Sequence, residues 1–178
     1  GLSAGVCEEL ARYIAMRWVL KKERGYANGV LFGAGHGGVE ALIFGALSGL
    51  ALVNNLLIHF IPDLAPDAVP AVQAYWAGAA ATWWGPIYAG VERLGAVSFH
   101  ITASVLVMRA VTRGNPLYLV FAILWHTVLD AGAVGMKLSG VSDFNLEAAG
   151  LLFGVLNLGL TLAMREPRAA LETKTEQG

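Results

Sequence analysis

The sequence predicts an all-α protein, a polytopic transmembrane helical bundle. Of its 178 residues, 56% are hydrophobic and 14% are charged, whereas a soluble domain averages about 25% charged residues. The charged residues cluster at the ends of long apolar segments, and the mean hydropathy is +0.59. Because roughly 20 apolar residues span the hydrocarbon core as a helix, we expect about five spanning helices in this chain.

The first two apolar segments differ in length. The first covers residues 2–20 and ends before four charged residues at 21–24, and the second covers residues 27–61. At a rise of about 1.5 Å per residue the second would be ~50 Å long, more than a bilayer requires. We therefore expect it to tilt, to protrude, or to break at its glycine-rich part or at the two asparagines at 54–55.

A loop and three further segments follow. Residues 62–86 contain four prolines and three tryptophans, which predicts a non-cytoplasmic loop with an interfacial helix near residues 69–76. A tight turn is expected at residues 113–116, an Arg-Gly-Asn-Pro sequence. The remaining apolar segments cover residues 87–110, 117–138 and 146–164.

Basic residues predict the orientation of the bundle. Lysine and arginine occur at 21–24, at 109–113 and after residue 165, whereas residues 61–90 contain neither and the other alternate loop holds only Lys137. Since an excess of lysine and arginine marks cytoplasmic loops, we expect the basic loops and the C-terminus to lie in the cytoplasm.

One transmembrane domain accounts for the chain. We expect residues 1–164 to form it and residues 165–178 to form a mobile, charged cytoplasmic tail. The sequence begins inside an apolar helix without the features of a signal peptide, so we expect a fragment that lacks N-terminal helices. The lone Cys7 excludes an internal disulfide. No basic patch or nucleic-acid motif is present, so we expect no nucleic-acid partner.

Ionisable residues interrupt four of the apolar segments. His36 and Glu40 lie one helical turn apart within the sequence FGAGHGGVE of residues 32–40. Ionisable groups at bilayer depth are costly, need partners, and usually mark a functional site. The further candidates on the other segments are Glu8, Glu9, Arg12, His100, His126 and Asp130.

These eight residues are expected at similar depth. Counted along each helix from the nearest cytoplasmic basic residue, they lie roughly 14–24 Å into the membrane. Four helices of alternating direction would thus place their ionisable groups in one slab, and three of them offer a pair of polar residues one turn apart. We expect the eight residues to converge on one intramembrane site.

Carboxylates and imidazoles around a shared cavity suit the activation of water. A glutamate in a low-dielectric site is a better general base near neutral pH, and histidines can donate hydrogen bonds to the oxyanion formed when a carbonyl is attacked. Arg12, one turn from Glu8 and Glu9, would keep one carboxylate ionised and oriented. This chemistry points to the activation of water for attack on a carbonyl group within the membrane.

Two alternatives remain open. Three histidines and a carboxylate form a complete zinc ligand set, which would make the protein a metal-dependent membrane hydrolase. However, HExxH is absent from the sequence, and a histidine and glutamate four residues apart are a weak metal signal. Chains of acidic residues and histidines also relay protons, so a non-enzymatic proton-coupled transporter or a membrane scaffold is the other alternative.

Three short motifs occur in a fixed order along the chain: Glu8-Glu9-x-x-Arg12, Phe32-x3-His36 and His126-x3-Asp130. Together they resemble the CAAX-protease and bacteriocin-processing superfamily of glutamic-type intramembrane proteases. Within that superfamily, the glycine-rich sequence around His36, with Glu92-Arg93 and then His100 downstream, looks most like the bacterial YhfC branch.

The resemblance implies a role for the first two motifs. Glu8 would be the base that activates water, His36 would share that water, and Glu9 and Arg12 would complete the first motif. The usual first motif has three residues between its second glutamate and its arginine, and this chain has two.

The resemblance also implies that His126 stabilises the oxyanion, with Asp130 in a position that asparagine often fills. An aspartate must be protonated to donate a hydrogen bond there. His100, one turn from Ser104, competes with His126 for the oxyanion role, and the sequence leaves this choice open. Glu92 and Arg93, near an interface, are expected to form a structural pair or a snorkelling site.

The same resemblance implies hydrolysis of a peptide bond within a membrane. The partners would be membrane lipid and a peptide or membrane-protein substrate, in the plasma membrane of a bacterium. No cofactor is expected in the glutamic-type mechanism, with zinc as the alternative.

Overall fold

A computed structural model describes residues 1–22, 24–81 and 84–165, and within these ranges the protein is all-helical. This confirms the predicted fold class. The helices are α1 (Leu2–Ile14), α2 (Tyr26–Phe60), α3 (Val69–Ala81), α4 (Gly85–Arg113), α5 (Leu117–Leu138) and α6 (Asp143–Ala163).

Four of the described helices, α2, α4, α5 and α6, are long and apolar enough to cross a membrane. The first predicted segment forms the shorter helix α1, which continues as a π-helical turn over Ala15–Val19. The predicted number of about five spanning segments is therefore close to the observed four, with α1 as an additional helix in the bundle.

Helix α2 runs without interruption for 35 residues. Of the outcomes expected for this long segment, a break at the glycines or at the two asparagines does not occur, and residues 42–54 are all exposed. Between its ends, a continuous helix satisfies its backbone N–H and C=O groups internally, and this outweighs the low helix propensity of glycine within a membrane. The predicted interfacial helix corresponds to α3, where Trp76 contacts the ring of His59 at the end of α2.

Helix α4 lies at the centre of the bundle. Residues 102–108 are buried without exception, so every face of this part of the helix is covered. Its most extensive contacts are with α2 and α6, while α1 and α5 pack against each other and against α4. Residues from α1, α2 and α5 can therefore meet residues of α4 at one place.

Glycines allow the closest approach between α2 and α4. Gly29, Gly33 and Gly37 lie one turn apart on the face of α2 that meets α4. A Cβ atom added to Gly33 would lie 2.4 Å from Cα of Ile101 and 2.5 Å from the carbonyl oxygen of His100. Small residues at this spacing let two membrane helices pack backbone to backbone, which fixes the position of His36 relative to α4.

Glycines also allow close backbone approach in two other helix pairs. A Cβ atom on Gly154 of α6 would lie 3.2 Å from Cα of Gly95 on α4, and one on Gly5 of α1 would lie 2.8 Å from the carbonyl oxygen of Ile123 on α5. The predicted tail at residues 165–178 lies, apart from Arg165, outside the described residues.

Candidate functional site

A buried ion pair on α1 lies at the centre of the candidate site. Glu9 is fully buried and Arg12 is 2% exposed. Nη1 of Arg12 lies 2.6 Å from each carboxylate oxygen of Glu9. A charged pair buried inside a bundle is costly unless its remaining hydrogen-bonding atoms also find partners.

Two histidines supply such partners. His100 of α4 places its Nδ1 atom 3.0 Å from Nη2 of Arg12, and His126 of α5 places its Nδ1 atom 2.9 Å from Oε1 of Glu9. Both imidazoles are buried, with exposures of 3% and 4%. Helices α1, α4 and α5 are therefore joined through one buried polar network.

A second group of side chains adjoins this network. Ligand atoms of Glu8, His36, Glu40 and His100 all lie within 4.8 Å of one another. Nε2 of His36 is 3.4 Å from Oε2 of Glu8, and Nε2 of His100 is 2.7 Å from Oε2 of Glu40. His36 and Glu40 share a helix face, yet each has its near partner on a different helix.

Glu40 is held from two sides. His100 contacts one carboxylate oxygen, and Nη1 of Arg93 lies 3.0 Å from the other. The guanidinium of Arg93 also pairs with Glu92 and lies over the ring of Phe44, 4.9 Å from its centroid. The expected pair of Glu92 and Arg93 is present, but Arg93 also contacts a candidate site residue. Only its position one turn before the deep part of α4 could have indicated this from the sequence.

Asp130 stands beside His126 at the edge of the site. Its Oδ2 atom lies 3.7 Å from Nε2 of His126, which is longer than a direct hydrogen bond. The rings of His36 and His100 are 4.7 Å apart, and those of His100 and His126 are 6.0 Å apart. All eight residues singled out in the sequence are thus assembled around one place in the structure.

A cavity of about 670 Å³ opens next to these groups. This volume is typical of cavities that bind small molecules or short segments, about 300–1,000 Å³. Most of the wall is apolar and comes from α4, α5 and α6. The candidate site residues that line it are Glu8, Glu40, His100, His126 and Asp130.

The donor set at this wall suits a divalent metal ion. Oε2 of Glu8 is buried, and among the described residues it makes no hydrogen bond, although Nε2 of His36 is nearby. A buried carboxylate oxygen without a hydrogen-bond donor is a favourable ligand for a cation. Carboxylate oxygen and imidazole nitrogen are zinc ligands, and a catalytic zinc site requires three of them from the protein. The residues therefore fit a metal of the zinc class.

Residues 1–149 match the family described as YhfC intramembrane metalloprotease. The chain belongs to this family. The YhfC-family chain is therefore an integral membrane protein of a protease family, and the expected YhfC resemblance is confirmed. The description names a metalloprotease, which favours the zinc alternative over the expectation of no cofactor.

A curated relative is similar to the YhfC-family chain over much of its length. It is the uncharacterized membrane protein YhfC of Bacillus subtilis (strain 168), 33% identical over 144 residues. The match covers 75% of this chain and 54% of the relative, so the chain spans about half the length of the curated relative it matches. No solved structure matches.

Proposed function

We propose that this YhfC-family chain carries the active site of a metal-dependent intramembrane peptidase. The substrate would be a peptide or a membrane protein, cleaved at a peptide bond. The single observation that supports this most is the convergence of Glu8, His36, Glu40 and His100 within 4.8 Å at a largely apolar cavity. A cavity with a largely apolar wall can accommodate an apolar segment of a membrane-protein substrate.

Glu8, His36 and Glu40 would hold the metal ion. These three side chains come from α1 and α2, and Arg93 and His100 anchor Glu40 from α4. When bound, a divalent ion supplies Lewis-acid chemistry, which favours negative charge on a nearby oxygen. The protein itself contributes a fixed ligand geometry and a cavity with an apolar wall.

The remaining site residues would orient the substrate and the reacting groups. The Glu9–Arg12 pair holds His100 and His126 through their Nδ1 atoms, so neither ring can rotate without losing a charge-assisted hydrogen bond. Asp130 lines the cavity beside His126, where it can contact a peptide group bound there.

The second candidate function is a glutamic-type peptidase that uses no metal. Here Glu8 would accept the proton of a water molecule that attacks the peptide carbonyl, and His36 would hold that water. This second candidate is favoured by the distance of 3.4 Å between Nε2 of His36 and Oε2 of Glu8, an oxygen that makes no hydrogen bond within the described part of the chain. It uses the same residues as the metal-dependent reaction, so only the metal requirement separates the two.

The test is cleavage by the full-length protein in nanodiscs, combined with metal analysis. We expect about one divalent ion per chain, activity that chelation removes and zinc restores, and no activity in Glu8→Gln although the protein stays folded. Activity that survives complete removal of metal would favour the glutamic-type reaction. Uptake that depends on a proton gradient, without cleavage of any peptide, would overturn both peptidase proposals in favour of a transporter.

We also propose the setting in which this reaction takes place. The alternation of basic loops supports a bundle whose C-terminus faces the cytoplasm, and the bacterial relative supports the plasma membrane as its location. Membrane lipid would then surround α2, whose residues 42–54 are exposed.

A further inference from the structure

Arg12 determines which ring nitrogen of His100 carries the hydrogen atom. A guanidinium can only donate hydrogen bonds, because it has no acceptor and does not lose its proton in proteins. Nη2 of Arg12 lies 3.0 Å from Nδ1 of His100, so this nitrogen must accept and must present its lone pair. In the neutral ring, the hydrogen is then on Nε2.

The opposite face of the His100 ring agrees with this assignment. Nε2 of His100 lies 2.7 Å from Oε2 of Glu40, a suitable distance for N–H donation to a carboxylate. A histidine that binds a metal normally uses one nitrogen as a ligand and donates a hydrogen bond from the other. In His100 the other nitrogen faces a guanidinium, which cannot accept, and coordination through Nε2 would leave the ring without any hydrogen.

Glu9 has the reverse effect on His126. Glu9 accepts two contacts from Arg12 and is held as a carboxylate, so it can only accept from Nδ1 of His126 at 2.9 Å. In the neutral ring the hydrogen is then on Nδ1, and Nε2, which lies 3.7 Å from Oδ2 of Asp130, presents its lone pair to the cavity that His126 lines.

We infer that the Glu9–Arg12 pair fixes opposite tautomers on two histidines. His100 presents an N–H group to Glu40 and is a positioning residue, not the fourth metal ligand. His126 presents an acceptor nitrogen to the cavity and cannot be the neutral oxyanion donor. The catalytic role of these tautomers rests on the proposed function, since His100 positions Glu40, which is a proposed metal ligand.

The tautomers can be measured without any assay of activity. Nitrogen-15 NMR of histidine-labelled full-length protein in nanodiscs distinguishes ring nitrogens with and without hydrogen, and single His→Gln substitutions assign the signals. We expect the hydrogen on Nε2 in His100 and on Nδ1 in His126. Hydrogen on Nδ1 of His100, or on Nε2 of His126, would overturn the inference.

Metal binding by variants tests the consequence for His100. A glutamine at position 100 offers an amide oxygen to Arg12 and an amide N–H to Glu40, so it can replace a linking histidine but is a poor replacement for an imidazole ligand. We expect His100→Gln to weaken zinc affinity by about 10-fold or less, the lower end of outer-shell effects. His36→Gln, the matched change of a proposed ligand, should weaken it by more than 100-fold. Equal losses in both variants would overturn the inference.

The two measurements keep the inference separate from the proposed function. If the wild-type protein binds no metal, the metal-dependent peptidase fails, and the NMR result on the metal-free protein still supports or overturns the tautomers. If zinc binds and His100→Gln loses it as His36→Gln does, the proposed function stands and the inference fails.

Discussion

Arg12 and Glu9 form a fully buried ion pair in which one guanidinium nitrogen lies 2.6 Å from both carboxylate oxygens. The pair also contacts a histidine on α4 and a histidine on α5. The Glu9–Arg12 pair therefore links α1, α4 and α5 through buried hydrogen bonds. Its loss should affect the stability of the bundle as well as the candidate site.

Arg12→Leu should destabilise the protein strongly. The change leaves the carboxylate of Glu9 buried with only His126 as a partner, and removing one member of a buried pair typically costs about 3–5 kcal/mol. The free energy of unfolding in mixed detergent micelles measures this. Arg17→Leu is the matched control, because Arg17 is exposed on the π-helical turn of the same segment. Equal stability of the two variants would contradict a structural role for the pair.

Gly33→Ala should separate α2 from α4. The added methyl group would meet backbone atoms of α4 at 2.4–2.8 Å, and backbone cannot move aside as a flexible side chain can. Overpacking of this kind costs about 1–3 kcal/mol, and it should also weaken zinc binding because His36 and Glu40 would move with α2. Gly35→Ala is the control, since a Cβ atom there has nothing within 4 Å. A Gly33→Ala protein with the stability and zinc affinity of Gly35→Ala would refute the proposed contact.

Arg93→Gln should reduce zinc affinity by about 10- to 100-fold, because residues that orient a ligand usually contribute that much. Arg93 holds the carboxylate oxygen of Glu40 that His100 does not contact. Zinc titration of the purified variants provides the measurement. Arg113→Gln should leave the affinity unchanged, since Arg113 contacts Tyr118 at the far end of α4. A normal affinity in Arg93→Gln would show that Glu40 needs no anchor from Arg93 or is not a ligand.

Asp130 can be tested by two substitutions of different chemistry. If it orients a peptide group by donating a hydrogen bond, Asp130→Asn should retain kcat/KM within about 10-fold, whereas Asp130→Ala should lose about 100-fold or more, the effect of removing one such donor. Cleavage rates of both variants decide this. Equal activity of the asparagine and alanine variants would exclude the hydrogen-bonding role at this position.

Removal of zinc should lower the free energy of unfolding of the wild-type protein. A ligand that binds only the folded state adds about 2.7 kcal/mol when its concentration is 100 times its Kd. We therefore expect a lower free energy of unfolding after chelation of the wild-type protein. His36→Gln should show a much smaller effect of chelation. A wild-type protein whose stability does not respond to zinc would argue against binding at this site.

Much of the architecture could be predicted from the sequence because its causes are local. Apolar segments long enough to span a bilayer predicted helices, and basic residues at their ends marked their limits. Of the tilt, protrusion or break expected for the long second segment, the break does not occur, since glycine lowers helix propensity but an unsatisfied backbone in lipid costs more. The metal requirement was left as an alternative, because carboxylates and imidazoles at helical spacing serve both kinds of hydrolase.

The sequence by itself determined which ionisable residues lie far from the ends of their apolar segments, since this follows from the position of a residue along its own helix. Only the tertiary structure decided how they pair. His36 and Glu40 share one face of α2, yet they contact Glu8 and His100 on other helices. Such contacts depend on the rotation and separation of neighbouring helices. The close backbone approach of α2 and α4 at Gly33 fixes both, and neither can be calculated from the helical periodicity of the sequence.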